Sequence, residues 1–294
     1  MKLSRYLAFI ALLTACQAAT RHPDGKVPVP ANLTQVLSSN AVPGFQHSFA
    51  SSEFAIGAVQ STINENGWAK VIGSNGVFAT NLNTGAVRAV PNGDSPASQL
   101  PALTGDPDVH SAHVLAYFEA AGLPSDQVAA VHVTTMMGGG GLGPPPVAFR
   151  GNFIAYNSVI GRAINGITVA DSFAWARFNN QGQVMAEAAY WPPIPASVVN
   201  DALTLQAQFG APTAMTTFVA ALPVKAIDAG RVVIHHTYSA SRGIFAAVAC
   251  VDIDEYTSAL NHRGRTRHFD GSANELDLSA FYRVEAPTAG SQGK

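Results

Sequence analysis

The side chains best suited to chemistry in this chain are its histidines, and the first pair is His110 and His113. Asp106-Pro107 opens the segment around them as a helix, with Asp at the cap and Pro in the first turn. Three residues apart on a helix, the two imidazoles would share a face, with Asp106 and Asp108 just upstream. Such a pair can give a metal two ligands, but a zinc site needs three or four, and no further donor stands at a spacing that completes the set. The reading is therefore no metal and no cofactor, with His113 half-buried on the helix's core stripe and His110 at the surface. His235 and His236 are neighbours in a strand-like run, Arg231–Tyr238. Successive strand residues point to opposite faces, so these two cannot chelate one ion together; one should pack and the other face solvent. His262 and His268 flank Arg263, Arg265 and Arg267 in a basic segment that could meet anionic headgroups or an acidic partner, or simply be solvated. Asp252, Asp254 and Glu255 read as surface acids that end a strand and could hold a cation weakly.

Nucleophiles are scarce. Cys250 lies in the apolar run Phe245–Ile253 and reads as a small buried filler, since a reactive cysteine wants an exposed electropositive setting. The glycine-rich stretch Gly138–Gly143 lacks the Gly-Lys-Ser/Thr ending of a phosphate loop. Pro144, Pro145 and Pro146 follow it where a helix should begin, so it reads as a connector. No G-x-S-x-G elbow is present. No catalytic residue is assigned. Tyr190-Trp191, beside Pro192 and Pro193, could form an exposed aromatic platform for a ligand or partner, or could pack at a sheet edge. They are the candidate interaction surface.

The elements that would position these residues are mostly strands. Asn165-Gly166 sits between two alternating segments and predicts a tight hairpin, because both residues tolerate positive φ. Asn179–Gly182 repeats the device, giving a three-stranded antiparallel meander over Arg150–Tyr190. From Ile167 the odd positions Ile167, Val169, Phe173 and Trp175 are large and apolar and should face the core, with Phe178 as the exception. A helix is expected from Asp106 to Gly122, with Val109, Ala112, His113, Ala116, Tyr117 and Ala120 as its stripe. A strand follows over Gln127–Met136, and a second helix over Ala196–Phe209 carries Val198, Ala202, Leu205 and Phe209 inward. Between Phe54 and Ala89 come short strands separated by Asn-Gly turns, including a hairpin at Val77–Leu82 with Asn83-Thr84-Gly85. The fold class is α+β: an antiparallel meander with two helices packed on it, plus a small N-terminal β subdomain.

At 294 residues, 12% charged and a net charge of −2, the chain has no basic field for nucleic acid. Lys2 and Arg5 precede a short apolar run, Tyr6–Leu13, too short to span a bilayer. Leu13-Thr14-Ala15-Cys16 resembles the lipobox of bacterial lipoproteins. The resemblance implies cleavage before Cys16 and acylation of that residue, so that the membrane is a partner through a lipid anchor. Gln17 in place of Asp resembles lipoproteins sent on to the outer membrane, facing the periplasm or the surface. The chain then divides into a leader (1–15), a flexible stalk (16–50), a β-rich subdomain and linker (51–105), the main domain (106–260) and a polar extension (261–294).

Val159–Val169, followed by Phe173–Val184, resembles the propeptide of thermolysin-type metalloproteases. Arg231–Tyr238 with Phe245–Asp254 is similar to PepSY domains, Asp252 matching the aspartate of their turn while Glu255-Tyr256 replaces the usual Thr-Gly. The resemblance implies a module that chaperones or inhibits a protease by laying a sheet face or strand against it. No His is followed by Glu, so the HExxH site of the protease itself is absent. The expected function is a non-catalytic, lipid-anchored envelope protein acting on a protease or another envelope component. The alternative is a ligand-binding lipoprotein with a cavity between the first helix and the sheet.

Overall fold

Strand-forming segments broken by Asn-Gly and Gly turns build most of this chain. The computed structural model describes residues 40–92, 106–138, 152–178, 182–224, 226, 230–239, 244–258 and 263–278. In chain order the elements are β1 (Ala41–Val42), β2 (Val59–Glu65), β3 (Trp68–Gly73), β4 (Gly76–Asn81), β5 (Val87–Pro91), α1 (Pro107–Ala120), β6 (Val128–Gly138), β7 (Asn152–Ile164), β8 (Ile167–Phe178), β9 (Val184–Tyr190), β10 (Ile194–Pro195), α2 (Ala196–Gln208), α3 (Pro212–Ala221), β11 (Arg231–Ser239), β12 (Ile244–Ser258) and β13 (Arg263–Phe269). The architecture is α+β. β1 pairs with β10; the remaining strands form one eleven-stranded sheet ordered β13-β12-β11-β8-β9-β5-β4-β3-β2, with β7 also on β8 and β6 on β7.

The central meander is as expected. Asn165 and Gly166 both take positive φ, 51° and 79°, and close the hairpin with Ile164 opposite Ile167. The second turn, 179–181, lies outside the described residues. The side-chain pattern of β8 differs from the sequence reading. Ile167 and Val169 are buried, but beyond them Ala174, Ala176 and Phe178 are buried while Phe173 and Trp175 are half-exposed. The cause is a bulge: Arg162 pairs with Val169 and the next β7 residue, Gly161, with Phe173, so the register skips Ala170–Ser172. An odd number of extra residues reverses the alternation, which is why Phe178 is in phase and not an exception.

From Ser158 to Ile164 β7 keeps one phase, with Ser158, Ile160, Arg162 and Ile164 all buried, so both halves of β8 present their buried residues to the same side. The helices lie on that side. Val114 and Phe118 of α1 pack over Ile160, Ala174 and Ala176. Val198, Val199 and Ala202 of α2 pack over Ile167, Val169, Ile234 and Ala249. Small alanines beneath α1 leave room for the Phe118 ring, and the larger branched residues fill the space beneath α2.

Several expectations need correction. α1 is turned by about one residue from the predicted stripe: His110, Val114, Tyr117 and Phe118 are buried, and Val109 and His113 are exposed. Val114 and Phe118 carry far more apolar surface than the alanines of the predicted stripe, so they decide which face is buried. α3 was not foreseen; it packs with Phe209 against Val251 and Ile253. Residues 40–50, assigned to the stalk, are packed in part: Phe45 and His47 are buried, and Phe45 bridges Trp191. The polar extension supplies β13, which pairs with β12 along its length. The N-terminal strands β2–β5 form the expected hairpins, and β5 hydrogen-bonds to β9, so they continue the main sheet.

Candidate functional site

The three strands β11, β12 and β13 bring four potential ligands together. Cys250 and Asp252 are two apart on β12 and share a face. Asp252 is directly opposite His268 on β13. Cys250 faces Val233 on β11, which puts His235, two residues on, at the diagonal position of the same face. One donor atom from each of His235, Cys250, Asp252 and His268 falls within 4.8 Å of the others. Asp252 is the hub: its carboxylate lies 3.1 Å from His235 Nε2 and 2.8 Å from His268 Nδ1, and accepts from Cys250 Sγ at 3.4 Å. The other nitrogen of His235, Nδ1, meets Asp171 Oδ2 at 3.1 Å, and the same oxygen accepts the His236 backbone N–H at 3.0 Å. Asp171 stands in the β8 bulge, where the edge of β8 passes from its parallel pairing with β11 to its antiparallel pairing with β9.

Leu276 and Leu278, from the segment after β13, pack with Val248 and Cys250 and wall the cluster off. Burial alone would disfavour the imidazolium of His235, but hydrogen bonds to Asp171 and Asp252 outweigh it and lift its pKa to about 9. Burial likewise favours neutral Asp252, yet hydrogen bonds from His235 and His268 hold its carboxyl well below the usual range. Burial, then the charge of Asp252, push the Cys250 thiol up.

His235 and His236 do point to opposite faces, but neither faces solvent: both are buried. His236 lies on the helix side, where its Nε2 contacts Ser172 Oγ at 2.8 Å. Asp252 is a buried acid and not a surface one: it lies within the sheet opposite His268 of β13. Asp254 and Glu255 are half-buried and do not end the strand, which runs on to Ser258; they pair with Arg231 and Arg265 at 2.9 and 2.7 Å. His110 is buried where a surface position was expected; its Nδ1 meets Ser158 Oγ at 2.7 Å and its Nε2 accepts the Phe178 N–H at 3.2 Å. His262 and the glycine run beyond Gly138 lie outside the described residues, as does Cys16.

Tyr190 and Trp191 do not make an exposed platform. Trp191 is 2% exposed, its Nε1 donating to Gln127 Oε1 at 3.2 Å, and Tyr190 is half-buried with its ring against His236. The bridge from Phe45 and the buried Arg162 cover the indole. Between α1 and the sheet, Val114 and Phe118 belong to one buried apolar cluster with Ile160, Ala174 and Ala176.

A second buried polar group centres on Glu187 of β9. Its carboxyl accepts from Tyr117 at 2.5 Å and from Ser52, and lies 3.1 Å from His47 Nε2. Ser51 Oγ is 3.1 Å from His47 Nδ1. Ser51, His47 and Glu187 thus follow the nucleophile–base–acid order of a hydrolytic triad. The Ser51 hydroxyl, however, is committed to a turn through the Ser48 carbonyl at 3.1 Å and the Ser48 N–H at 3.0 Å. The arrangement braces residues 45–54 against α1 and β9.

The most exposed element is β2, at the end of the sheet: all seven of its residues are exposed. Among the described residues no strand pairs with its outer edge. Beside it, Ile63, Ile72, Val77 and Val90 floor a shallow depression of about 280 Å³. Arg88 and the ion pair Lys70–Glu65 form its rim.

Neither the four-residue cluster nor the Glu187 group follows from the sequence reading. The alternation Cys250-Val251-Asp252 was the available signal, since it puts a thiol and a carboxylate on one face. His268 stands in a basic segment without strand alternation, so its convergence with them follows only from the pairing of β13 with β12. No family model and no curated protein matches the chain. One solved structure, an uncharacterized protein from Eubacterium rectale, is similar at 8% identity over 77% of this chain and 76% of that one, with a TM-score of 0.35.

Proposed function

We propose that this is a lipid-anchored protein of the bacterial envelope that works by contact with another protein, as a protease-inhibitor or propeptide-like module does, and not by catalysis. The anchor rests on Leu13–Cys16. The observation that carries the contact is the edge of β2: a row of backbone donors and acceptors with an apolar, charge-rimmed depression at its side. An extended segment of a partner could add to that edge as a further strand and set alternate side chains into the depression. A strand edge left unpaired among the described residues, beside an apolar depression, is a feature that proteins usually blunt or cover.

The test is site-specific photo-crosslinking from Thr62 in intact envelopes, with Glu119 on the exposed side of α1 as the control position. A single envelope protein captured from Thr62 and not from Glu119, and lost when Ile63 is replaced by Arg, is the expected result. Equal yields from both positions would remove the contact reading. Release of Cys16→Ser from the membrane fraction checks the anchor independently.

A further inference from the structure

We infer that His235, Cys250, Asp252 and His268 bind one divalent transition ion of the zinc–cobalt type. A tetrahedral ion with bonds of about 2.0–2.3 Å holds its ligands roughly 3.3–3.8 Å apart. The contacts of Asp252 with His268, His235 and Cys250, at 2.8, 3.1 and 3.4 Å, already lie close to that spacing. All four donor atoms lie within 4.8 Å of one another, a spread that side-chain rotation can close around an ion. The donor types fit as well. Imidazole, thiolate and carboxylate together suit zinc, cobalt or nickel, whereas magnesium and calcium take oxygen alone. A dication with one thiolate, one carboxylate and two neutral imidazoles is a neutral assembly, which is what a buried position requires.

The surroundings supply a second observation. A metal-bound histidine normally gives its remaining N–H to a carboxylate, which fixes its tautomer and orientation. His235 is placed for this: Nε2 points into the cluster and Nδ1 to Asp171. Asp171 is in turn held by the backbone N–H of His236. All four ligands sit on paired strands, so the sheet fixes their positions. Leu276 and Leu278 exclude water from one side, while the His268 side chain, 18% exposed, leaves a way in. The site adds to the contact reading and does not depend on it.

Cobalt is the probe. The full chain in detergent is stripped with chelator and titrated with Co²⁺. The expected result is one equivalent bound, with the near-ultraviolet thiolate-to-cobalt band and the visible bands of a tetrahedral site, both removed by added Zn²⁺. Cys250→Ser should abolish the thiolate band. Asp171→Asn should weaken binding about 10–100-fold while leaving that band in place. His268→Ala, at the exposed rim, serves if Cys250→Ser fails to fold, and should weaken binding to at least the same degree. Absence of stoichiometric binding, or a band that survives in folded Cys250→Ser, or unchanged affinity in folded His268→Ala, would overturn the assignment and leave a hydrogen-bonded cluster that braces three strands.

Discussion

The guanidinium of Arg162 lies over the ring of Trp191, 5.3 Å from its centroid, with both side chains sealed from solvent. Its nitrogens donate to Gln127 Oε1 at 2.9 Å and to the carbonyls of Pro192 and Pro43 at 2.5 and 3.2 Å. One cation therefore holds the central hairpin, the segment after β9 and the N-terminal segment together. Burial lowers its pKa to about 9.

Arg162→Lys should cost about 2–4 kcal/mol in urea unfolding, because an ammonium cannot reproduce the planar fork that meets these acceptors, and it leaves buried carbonyls unsatisfied. Arg162→Met should be no worse than the lysine variant, since it puts no second-best charge in the same place. A lysine variant as stable as the parent would show that the fork contributes nothing.

His110 gives a pH dependence with a definite sign. Burial, then the positive charges of His113 and Arg177, lower its pKa to about 4 from the usual 6.5. The Phe178 N–H points at Nε2, so a second proton there would meet a donor. A histidine with a depressed native pKa supports the fold fully above pH 6.5 and loses that support as pH falls through about 4. The loss should be on the order of 1–2 kcal/mol after allowance for solvent screening. Denaturant midpoints measured from pH 7 to pH 4 should fall more steeply for the parent than for His110→Gln.

Glu187 should show the difference between removing a charge and removing a group. Tyr117 is raised in pKa by burial and then by the charge of Glu187, so it remains a donor at any physiological pH. Glu187→Gln keeps acceptor capacity and should cost about 1–2 kcal/mol, whereas Glu187→Ala removes the acceptor that Tyr117, Ser52 and His47 share and should cost about 3–5 kcal/mol. Thermal unfolding of the two variants checks the order.

Two glycines should respond oppositely in scale. At Gly166 an added Cβ meets nothing within 4 Å, so Gly166→Ala costs only its left-handed backbone, φ 79°, about 1 kcal/mol. At Gly44 the same atom would lie 2.3 Å from the Trp191 carbonyl oxygen, so backbone must move and the bridge to Phe45 with it. Gly44→Ala should be the more destabilising of the two by at least 2 kcal/mol in the same denaturant assay.

The local devices were legible in the sequence: Asn165-Gly166, the Asp106 cap, and the Val198/Ala202 stripe all act as their residue types require. What was not legible depends on register. The skip at Ala170–Ser172 reverses which residues of β8 face the helices, and no periodicity within β8 announces it, because the cause is pairing with β7. The cluster of His235, Cys250, Asp252 and His268 was hidden for the same reason. Its members come from three strands, and the third, β13, is rich in Arg with little apolar alternation to mark it. The burial of Trp191 likewise depends on Phe45 and Arg162, which are distant in sequence.

The bracing of residues 43–54 has a consequence for synthesis. His47 and Glu187 are 140 residues apart. At a ribosomal rate of about 5–20 residues per second, Phe45 and His47 emerge on the order of ten seconds before the strand they join. Until then they have no groove to enter, so this segment closes late.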